Sequence, residues 1–176
     1  MPTINSMLFD NSSGPYVHYP NTKAGMIARL DATVQHRISL RKDLTKKSKP
    51  PFGMGNFKKG NILIIGEQSA KPPLHPIGQD PFCGMKGSSR WLNLQLNENL
   101  VDEGELFWIN ALNLDGSKAD VVKIVKLLKP SKIIALGNVA SNSCKENNLE
   151  HVKIPHPAYW KRFHSKKKYP LIAEVI

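Results

Sequence analysis

The residues best suited to chemistry stand directly behind short apolar runs of the chain. Glu67 and Gln68 follow one run, Asn110 closes a second, and His156 follows a third. An asparagine amide has two donors and an acceptor, enough to pair with one edge of a flat heterocycle, and leaving it unpaired behind a buried strand would be costly. A carboxylate can orient a water molecule for hydrolysis. This combination of residue types suggests a ligand-reading site that also carries a hydrolytic group.

The elements that must position these residues form a strand–helix alternation that begins at Asn61. Short apolar runs predict four strands, over residues 62–65, 106–112, 133–136 and 151–154. Strands that alternate with helices form a mostly parallel sheet covered on both faces, so we expect a four-stranded, three-layer α/β/α fold. Ligands of such sheets bind beyond the carboxyl ends of the strands, which is where the residues above would converge.

The spacing of apolar residues also predicts helices. The first, over residues 25 to about 44, has four apolar residues on one face: Ile27, Leu30, Val34 and Ile38. The second would be capped by Ser88 or Ser89 and carries a stripe of three leucines: Leu92, Leu96 and Leu100. The stretch rich in lysine and proline between the first helix and Asn61 predicts a loop over the surface.

The charge balance indicates a polyanionic partner. The 176 residues include 25 Lys and Arg against 14 Asp and Glu, which gives a formal net charge of +11. We place nucleic acid ahead of a membrane because the chain has no basic amphipathic anchor helix and no apolar run near the roughly 20 residues that span a bilayer. Length and composition suit one domain, over residues 21–176, preceded by a flexible arm over residues 1–20.

The two cysteines limit both the compartment and the cofactors. Cys83 and Cys144 are too few for a disulfide framework, which favours a reducing compartment, the cytoplasm or the nucleus. They also cannot supply the four thiolates of an iron–sulfur cluster. The histidines and these thiols show no metal-ligand spacing, so we expect no metal and no other cofactor.

Four short motifs occupy the last two thirds of the chain. The first motif has two parts: residues 62–68 read ILIIGEQ and are followed by PFCG at residues 81–84. Three later segments read FWIN at residues 107–110, LKPSKIIALG at residues 128–137 and IPHP at residues 154–157. In this order they resemble motifs of the uracil-DNA glycosylase superfamily, most closely its thermophilic-type branch. That branch has a strand ending in Gly-Glu-x-Pro-Gly, a Pro-Phe-x-Gly element, a strand ending in asparagine, a lysine-proline turn and a His-Pro motif.

The resemblance implies a role for several of these residues. A base inside duplex DNA must be flipped out before its glycosidic bond can be cut, at a cost of a few kcal/mol. Phe82 would stack on the flipped base, Asn110 would read its edge, and a neutral His156 would stabilise the negative charge on the departing base. Gln68 would also face the base, at the position where other branches carry a catalytic Asp or Asn.

Two carboxylates compete for the role of orienting water and stabilising the positively charged sugar. Glu67 matches the thermophilic-type motif, although Ser69 and Ala70 replace the Pro-Gly of that branch. Asp80 is the rival, because residues 78–82 read GQDPF, similar to the Gly-Gln-Asp-Pro-Tyr motif of another branch. The iron–sulfur cysteines of the thermophilic-type branch have no counterparts in this chain.

A basic and aromatic segment follows His156. In the family this neighbourhood inserts a side chain into the space that the flipped base leaves, and Tyr159, Trp160 or Arg162 could act as that wedge. Four lysines, with Arg162, would contact DNA and neutralise phosphates: Lys161, Lys166, Lys167 and Lys168. Cations mixed with aromatic rings suit single-stranded DNA or a duplex with a flipped base.

The resemblance therefore implies a DNA glycosylase that excises uracil or a related modified pyrimidine, leaves an abasic site and needs no cofactor. We expect it to act as a monomer. Gln68, Ser69 and Ala70 depart from the family pattern and keep open a catalytically inactive DNA- or base-binding protein on the same fold. A third alternative, hydrolysis of a free nucleotide, fits poorly with so extended a basic segment.

Overall fold

The computed structural model of the chain describes residues 18–69 and 79–176. Within these ranges the helices are α1 (Lys23–Ser48), α2 (Gly87–Glu98), α3 (Val121–Leu128), α4 (Asn138–Glu146), α5 (Pro157–His164) and α6 (Leu171–Val175). The strands are β1 (Met54–Gly55), β2 (Ile62–Gly66), β3 (Leu106–Asn110), β4 (Ile133–Leu136) and β5 (Val152–Ile154). Most of the predicted arm over residues 1–20 lies outside the described residues, as do Ala70 and Gly78 of the motifs.

The described residues form an α/β structure with one five-stranded mixed sheet, in the order β1-β3-β2-β4-β5. The α/β class predicted from the sequence is confirmed. Strands β2 to β5 run parallel to one another and overlap the four apolar runs, although β3 ends two residues earlier than predicted. The prediction of a four-stranded sheet was wrong at one edge, because β1 pairs antiparallel with β3.

Strand β1 was not predicted because it is two residues long and lies among glycines. Gly53 has a φ of 87°, and a Cβ there would lie 2.5 Å from the carbonyl oxygen of Trp108. At Gly55 a Cβ would lie 2.8 Å from the carbonyl oxygen of Leu106. The segment can approach β3 this closely only where side chains are missing, and so short a strand shows no apolar alternation.

Helices cover both faces of the sheet. Side chains alternate between the two faces along each strand, so each face carries apolar residues that pack against helices. One core joins Ile64 and Trp108 to residues of α2 and α6: Leu92, Leu96, Leu171 and Ile172. The other core joins Leu63 and Phe107 to residues of α3 and α4: Ile124, Leu128, Ala140 and Cys144. The resulting register sets the carboxyl ends of β2 and β3 side by side.

Helix α1 is longer than predicted and buries a different set of residues. Val34 and Ile38 are buried as expected, but Ile27 and Leu30 are exposed. Arg37 and Arg41 enter the interior instead. With 26 residues α1 is the longest helix described, and no helix within residues 18–69 and 79–176 has both the length and the hydrophobicity needed to cross a membrane.

The start of α2 also differs from the prediction. The helix begins at Gly87 rather than after Ser88 or Ser89, and no side chain caps it. Ser89 binds the preceding loop instead, because its hydroxyl oxygen accepts a hydrogen bond from the Gly84 N–H at 2.9 Å. Leu100, predicted on the buried stripe, lies beyond the helix end and is exposed.

Candidate functional site

A cavity of about 430 Å³ opens at the carboxyl ends of β2 and β3. This volume lies in the range of small-molecule sites, roughly 300–1,000 Å³. Its wall includes all six residues predicted to act on a base: Glu67, Gln68, Asp80, Phe82, Asn110 and His156. They come from separate chain segments that meet because the parallel strands end at one edge of the sheet. The structure brings the six together, and their chemical roles stay predictions.

Eight further residues of the wall were not predicted: Ser69, Cys83, Gly84, Met85, Lys86, Gly87, Ser88 and Ser89. Most of them belong to the loop behind Phe82 and to the first turn of α2. Loops and turns show no periodic pattern, so their path cannot be read from residue types. The PFCG motif, which contains Cys83 and Gly84, is the sequence signal that lies among these residues.

Phe82 lies on the wall in an unusual backbone conformation. Its φ is 52°, in the left-handed region that costs a residue with a side chain roughly 1–2 kcal/mol. The Phe82 carbonyl oxygen accepts hydrogen bonds from Arg41 Nη1 at 3.0 Å and from Asn93 Nδ2 at 2.9 Å. The phenyl ring lies near the imidazole of His156, with 6.1 Å between the ring centroids.

Gly66, the last residue of β2, lets this ring approach the strand. A Cβ at Gly66 would lie 2.8 Å from Phe82 Cε2 and 2.7 Å from Asn110 Oδ1. Both distances are shorter than an ordinary contact, so a side chain at this position would push the ring or the amide out of place. The glycine of the ILIIGEQ segment is therefore required by packing.

Asn110 is only 3% exposed and is held through both its backbone and its side chain. Gln79 pairs with the peptide groups of Asn110: its Oε1 accepts from the Asn110 N–H at 2.6 Å and its Nε2 donates to the Asn110 carbonyl at 2.9 Å. Asn110 Nδ2 donates to Ser69 Oγ at 2.7 Å. The backbone and the amide of Asn110 are thus held in one orientation at the cavity wall.

His156 is the N-cap residue of α5. Its Nδ1 accepts a hydrogen bond from the Ala158 N–H at 3.1 Å, so the proton of the neutral imidazole resides on Nε2. Burial lowers the pKa of His156 below its ordinary value, while the charge of Glu67 acts in the opposite direction. At neutral pH the side chain is therefore an uncharged ring that can donate from Nε2.

The two candidate carboxylates differ in burial. Asp80 is 7% exposed, whereas Glu67 lies at the exposed rim of the cavity. Gln68 is also exposed, and its Nε2 donates to the carbonyl oxygens of Asn113 and Leu114 at 3.0 and 3.2 Å. The loop behind β3 thus engages the Gln68 amide nitrogen, which leaves Oε1 as the atom that could face a ligand.

The basic and aromatic segment forms α5 and the turn behind it. Tyr159 is exposed beside His156, and the two line a second cavity of about 440 Å³. Trp160 differs, since its Nε1 donates to the Lys167 carbonyl at 3.0 Å and its ring packs near Tyr169 in the core. Five cations here are exposed and form no salt bridge within the described residues: Lys161, Arg162, Lys166, Lys167 and Lys168.

A buried ionic network that was not predicted lies behind the wall. Arg41 Nε donates to Glu103 Oε1 at 2.7 Å, and Arg37 Nη2 lies 2.6 Å from Glu103 Oε2. Trp108 Nε1 donates to the same carboxylate at 2.7 Å. Burial is the largest single influence and would raise the pKa of Glu103, but the charges of the two arginines and the hydrogen bonds from Arg41 and Trp108 together lower it. Both arginines follow Val34 at helical spacing. Arginines are rarely buried unless they are paired, and nothing in the neighbouring sequence indicates that Glu103 is the partner.

Neither a scan against protein-family models nor a search of curated proteins found a match to this chain. Within the part of the chain that the structure describes, no group of three or more His, Cys, Asp or Glu side chains is placed to hold a metal ion.

Proposed function

We propose that the protein is a DNA glycosylase of the uracil-DNA glycosylase superfamily, which flips uracil or a related modified pyrimidine out of DNA and cuts its N-glycosidic bond. The observation that carries this proposal is the convergence of six residues from separate motifs on one cavity of about 430 Å³. They supply an aromatic ring, two amides, an imidazole and two carboxylates. The net charge of +11 supports a DNA partner.

The part of the wall behind the exposed rim, which includes Asp80, Phe82 and Asn110 and is called the recessed wall below, suits recognition of a flipped base. Phe82 would stack on one face of the base, and the Asn110 amide would pair with its edge. Ser69 and Gln79 hold Asn110 in one orientation, so the site needs little reorganisation when the base enters. Stacking contributes about 1–3 kcal/mol per base, which is comparable with the cost of flipping it.

Cleavage of the C1′–N bond leaves both bonding electrons on the base and positive charge on the sugar. The Nε2–H of His156 would donate to the base oxygen on which negative charge collects. Asp80 would orient the water that adds to C1′ and accept its proton, because a buried carboxylate acts through a lower dielectric than the exposed Glu67. The products are abasic DNA and a base anion that takes a proton from solvent.

Helix α5 and the turn behind it would face the DNA backbone. Tyr159 is the side chain best suited to fill the space left by the base, because Trp160 is tied to the core and to Lys167. The exposed cations of the same segment would neutralise phosphates. Aromatic and basic side chains would then meet the DNA directly beside His156.

The test is an oligonucleotide with one uracil, incubated with the protein and then treated with hot alkali, which breaks the strand at abasic sites. We expect breakage by the wild type. His156→Ala and Asn110→Asp should lower the excision rate about 100-fold or more, because each removes a donor aimed at the base. Asn142→Asp, which adds a charge at an exposed position of α4, should excise like the wild type. A wild-type protein that breaks no strand carrying uracil or another modified pyrimidine would contradict the proposal.

A catalytically inactive DNA- or base-binding protein is the second candidate, and Gln68 favours it. At the position where other branches carry a catalytic Asp or Asn, this side chain donates to carbonyl oxygens of the loop behind β3. Tight, salt-sensitive binding of the same oligonucleotides without strand breakage would support this candidate. Hydrolysis of free nucleotides without any action on DNA would contradict both.

A further inference from the structure

Two buried side chains meet at the carbonyl oxygen of Phe82. Arg41 donates to it from Nη1 at 3.0 Å, and Asn93 donates to it from Nδ2 at 2.9 Å. The two side chains also bind each other, because Arg41 Nη2 donates to Asn93 Oδ1 at 2.9 Å. Together with the carbonyl they form a closed triangle of hydrogen bonds that fixes the peptide group behind Phe82.

We propose that Arg41 and Asn93 are positioning residues for the ring that stacks on the base. Their hydrogen bonds hold Phe82 at a φ of 52°, with its ring against Gly66 and on the cavity wall. The carbonyl could turn away only by losing one hydrogen bond from each of two buried side chains, so an unfavourable conformation for a phenylalanine is retained. This role rests on the proposed function, in which Phe82 stacks on the flipped base.

The neighbouring arginine provides an internal comparison. Arg37 and Arg41 are both buried, lie about one turn apart on α1 and bind the same carboxylate of Glu103. Arg37 donates its further hydrogen bond to the carbonyl oxygen of Val101 at 2.8 Å. Of the two, Arg41 is the one that connects the ionic network to Phe82. A purely stabilising network would make the two guanidinium groups equivalent, whereas a positioning role makes them different.

The test compares Arg41→Lys with Arg37→Lys in the full chain. Lysine keeps a positive charge near Glu103 but lacks the planar fork with which Arg41 reaches three partners. The first readout is the NMR signals of the His156 ring protons, which sense the current of the Phe82 ring at a centroid separation of 6.1 Å. The second readout is the single-turnover rate of uracil excision. Urea unfolding midpoints report stability alongside.

We expect both lysine variants to lower the urea midpoint and Arg41→Lys alone to shift the His156 signals. Arg41→Lys should also reduce excision about tenfold, the loss expected for one hydrogen bond to a charged donor. Arg37→Lys should excise within about twofold of the wild type, as expected for a residue without a role in the transition state. Asn93→Asp keeps the acceptor for Arg41 but loses the donor to Phe82, so we expect it to shift the His156 signals and slow excision in the same way. It therefore tests the positioning role even if Arg41→Lys does not fold. Asn97→Asp, on the same helix, is its control.

Unchanged His156 signals in Arg41→Lys and Asn93→Asp would overturn the positioning role. Equal losses of excision in the two arginine variants would also overturn it. If the wild type excised no base at all, the proposed function would fail, and the His156 signals would still decide whether Arg41 and Asn93 place the Phe82 ring.

Discussion

The recessed wall of the cavity and the outer segment formed by α5 and its following turn differ in how firmly their side chains are held. In the wall, Asn110 makes hydrogen bonds through its N–H, its carbonyl and its side chain. The carbonyl of Phe82 accepts two more from buried donors. In the outer segment, Tyr159 and Phe163 are 52% and 58% exposed and contact each other. The wall is built into the core, whereas the outer segment lies on its surface.

The difference corresponds to two kinds of recognition. Reading the edge of one base requires donors and acceptors whose direction is set before the base arrives. Neutralising phosphates requires positive charge near the backbone, and long flexible lysines supply that charge over a range of positions. We therefore expect small changes in the wall to have large effects, and larger changes in the outer segment to have small ones.

The largest effect should follow from exchanging the buried carboxylate of the wall. Asp80→Asn should lower the excision rate by about 100-fold or more, because it removes the acceptor for the proton of the attacking water at a site of low dielectric. Glu67→Gln, at the exposed rim, should lower the rate by less than about tenfold. Single-turnover rates at saturating protein measure both. The reverse order would assign the water to Glu67 and break the link between burial and effect.

A single methyl group in the wall should have the next largest effect. Gly66→Ala brings a Cβ within 2.8 Å of Phe82 and 2.7 Å of Asn110, so we expect excision to fall at least tenfold and the free energy of unfolding to fall by about 1–3 kcal/mol. Gly84→Ala is the matched control in the same wall, because its nearest neighbour, Ser89, would lie 3.6 Å away. A tolerated Gly66→Ala would mean that the wall adapts to its ligand.

Parts of the fold could be predicted where burial produces a local pattern in the sequence. The runs at residues 62–65 and 133–136 are continuous and apolar because strands inside a covered sheet are buried on both faces. Strand β1 has no such signal, since its approach to β3 depends on glycine. The buried face of helix α1 was predicted wrongly, because Arg37 and Arg41 are buried by pairing with Glu103, about 60 residues further along the chain. Long-range pairing of this kind leaves no local pattern.

The candidate site was predictable to the extent that strand ends and short motifs mark it. Asn110 and His156 directly follow apolar runs, and the topology of a parallel sheet brings such positions to one edge. Gln79 stands in the GQDPF segment, but its pairing with the Asn110 backbone depends on the path of a loop. Ser69 and Asn93 are ordinary polar residues whose partners become visible only in three dimensions.

Changes in the outer segment should weaken DNA binding without slowing the bound complex. The variant replaces Lys166, Lys167 and Lys168 together by glutamine. The slope of log K against log salt should become shallower by about 2 to 3, near 0.9 for each lost phosphate contact. The control replaces three lysines at and just after the end of α1: Lys46, Lys47 and Lys49. Ser48 at that end accepts a hydrogen bond from the Phe57 N–H, and the preceding residues 54–56 pair with the start of β3, opposite its end at Asn110. The salt slope of this control variant should therefore stay close to that of the wild type. Equal slopes for both sets would remove the assignment of the outer segment to DNA.

The smallest expected effect is a shift in pH dependence that links the wall to its rim. Burial lowers the pKa of His156 below the ordinary value of about 6.5, so the neutral ring persists to lower pH than in the unfolded chain. The excision rate should therefore be at its maximum above about pH 6.5 and fall as the pH drops through the folded-state pKa of His156. The contribution of His156 to the free energy of unfolding should follow the same course. Glu67→Gln removes the charge that raises this pKa, so it should move the acid limb further down. NMR titration of the His156 ring protons measures the shift directly, and an upward shift would show that the rim does not act on the imidazole in this way.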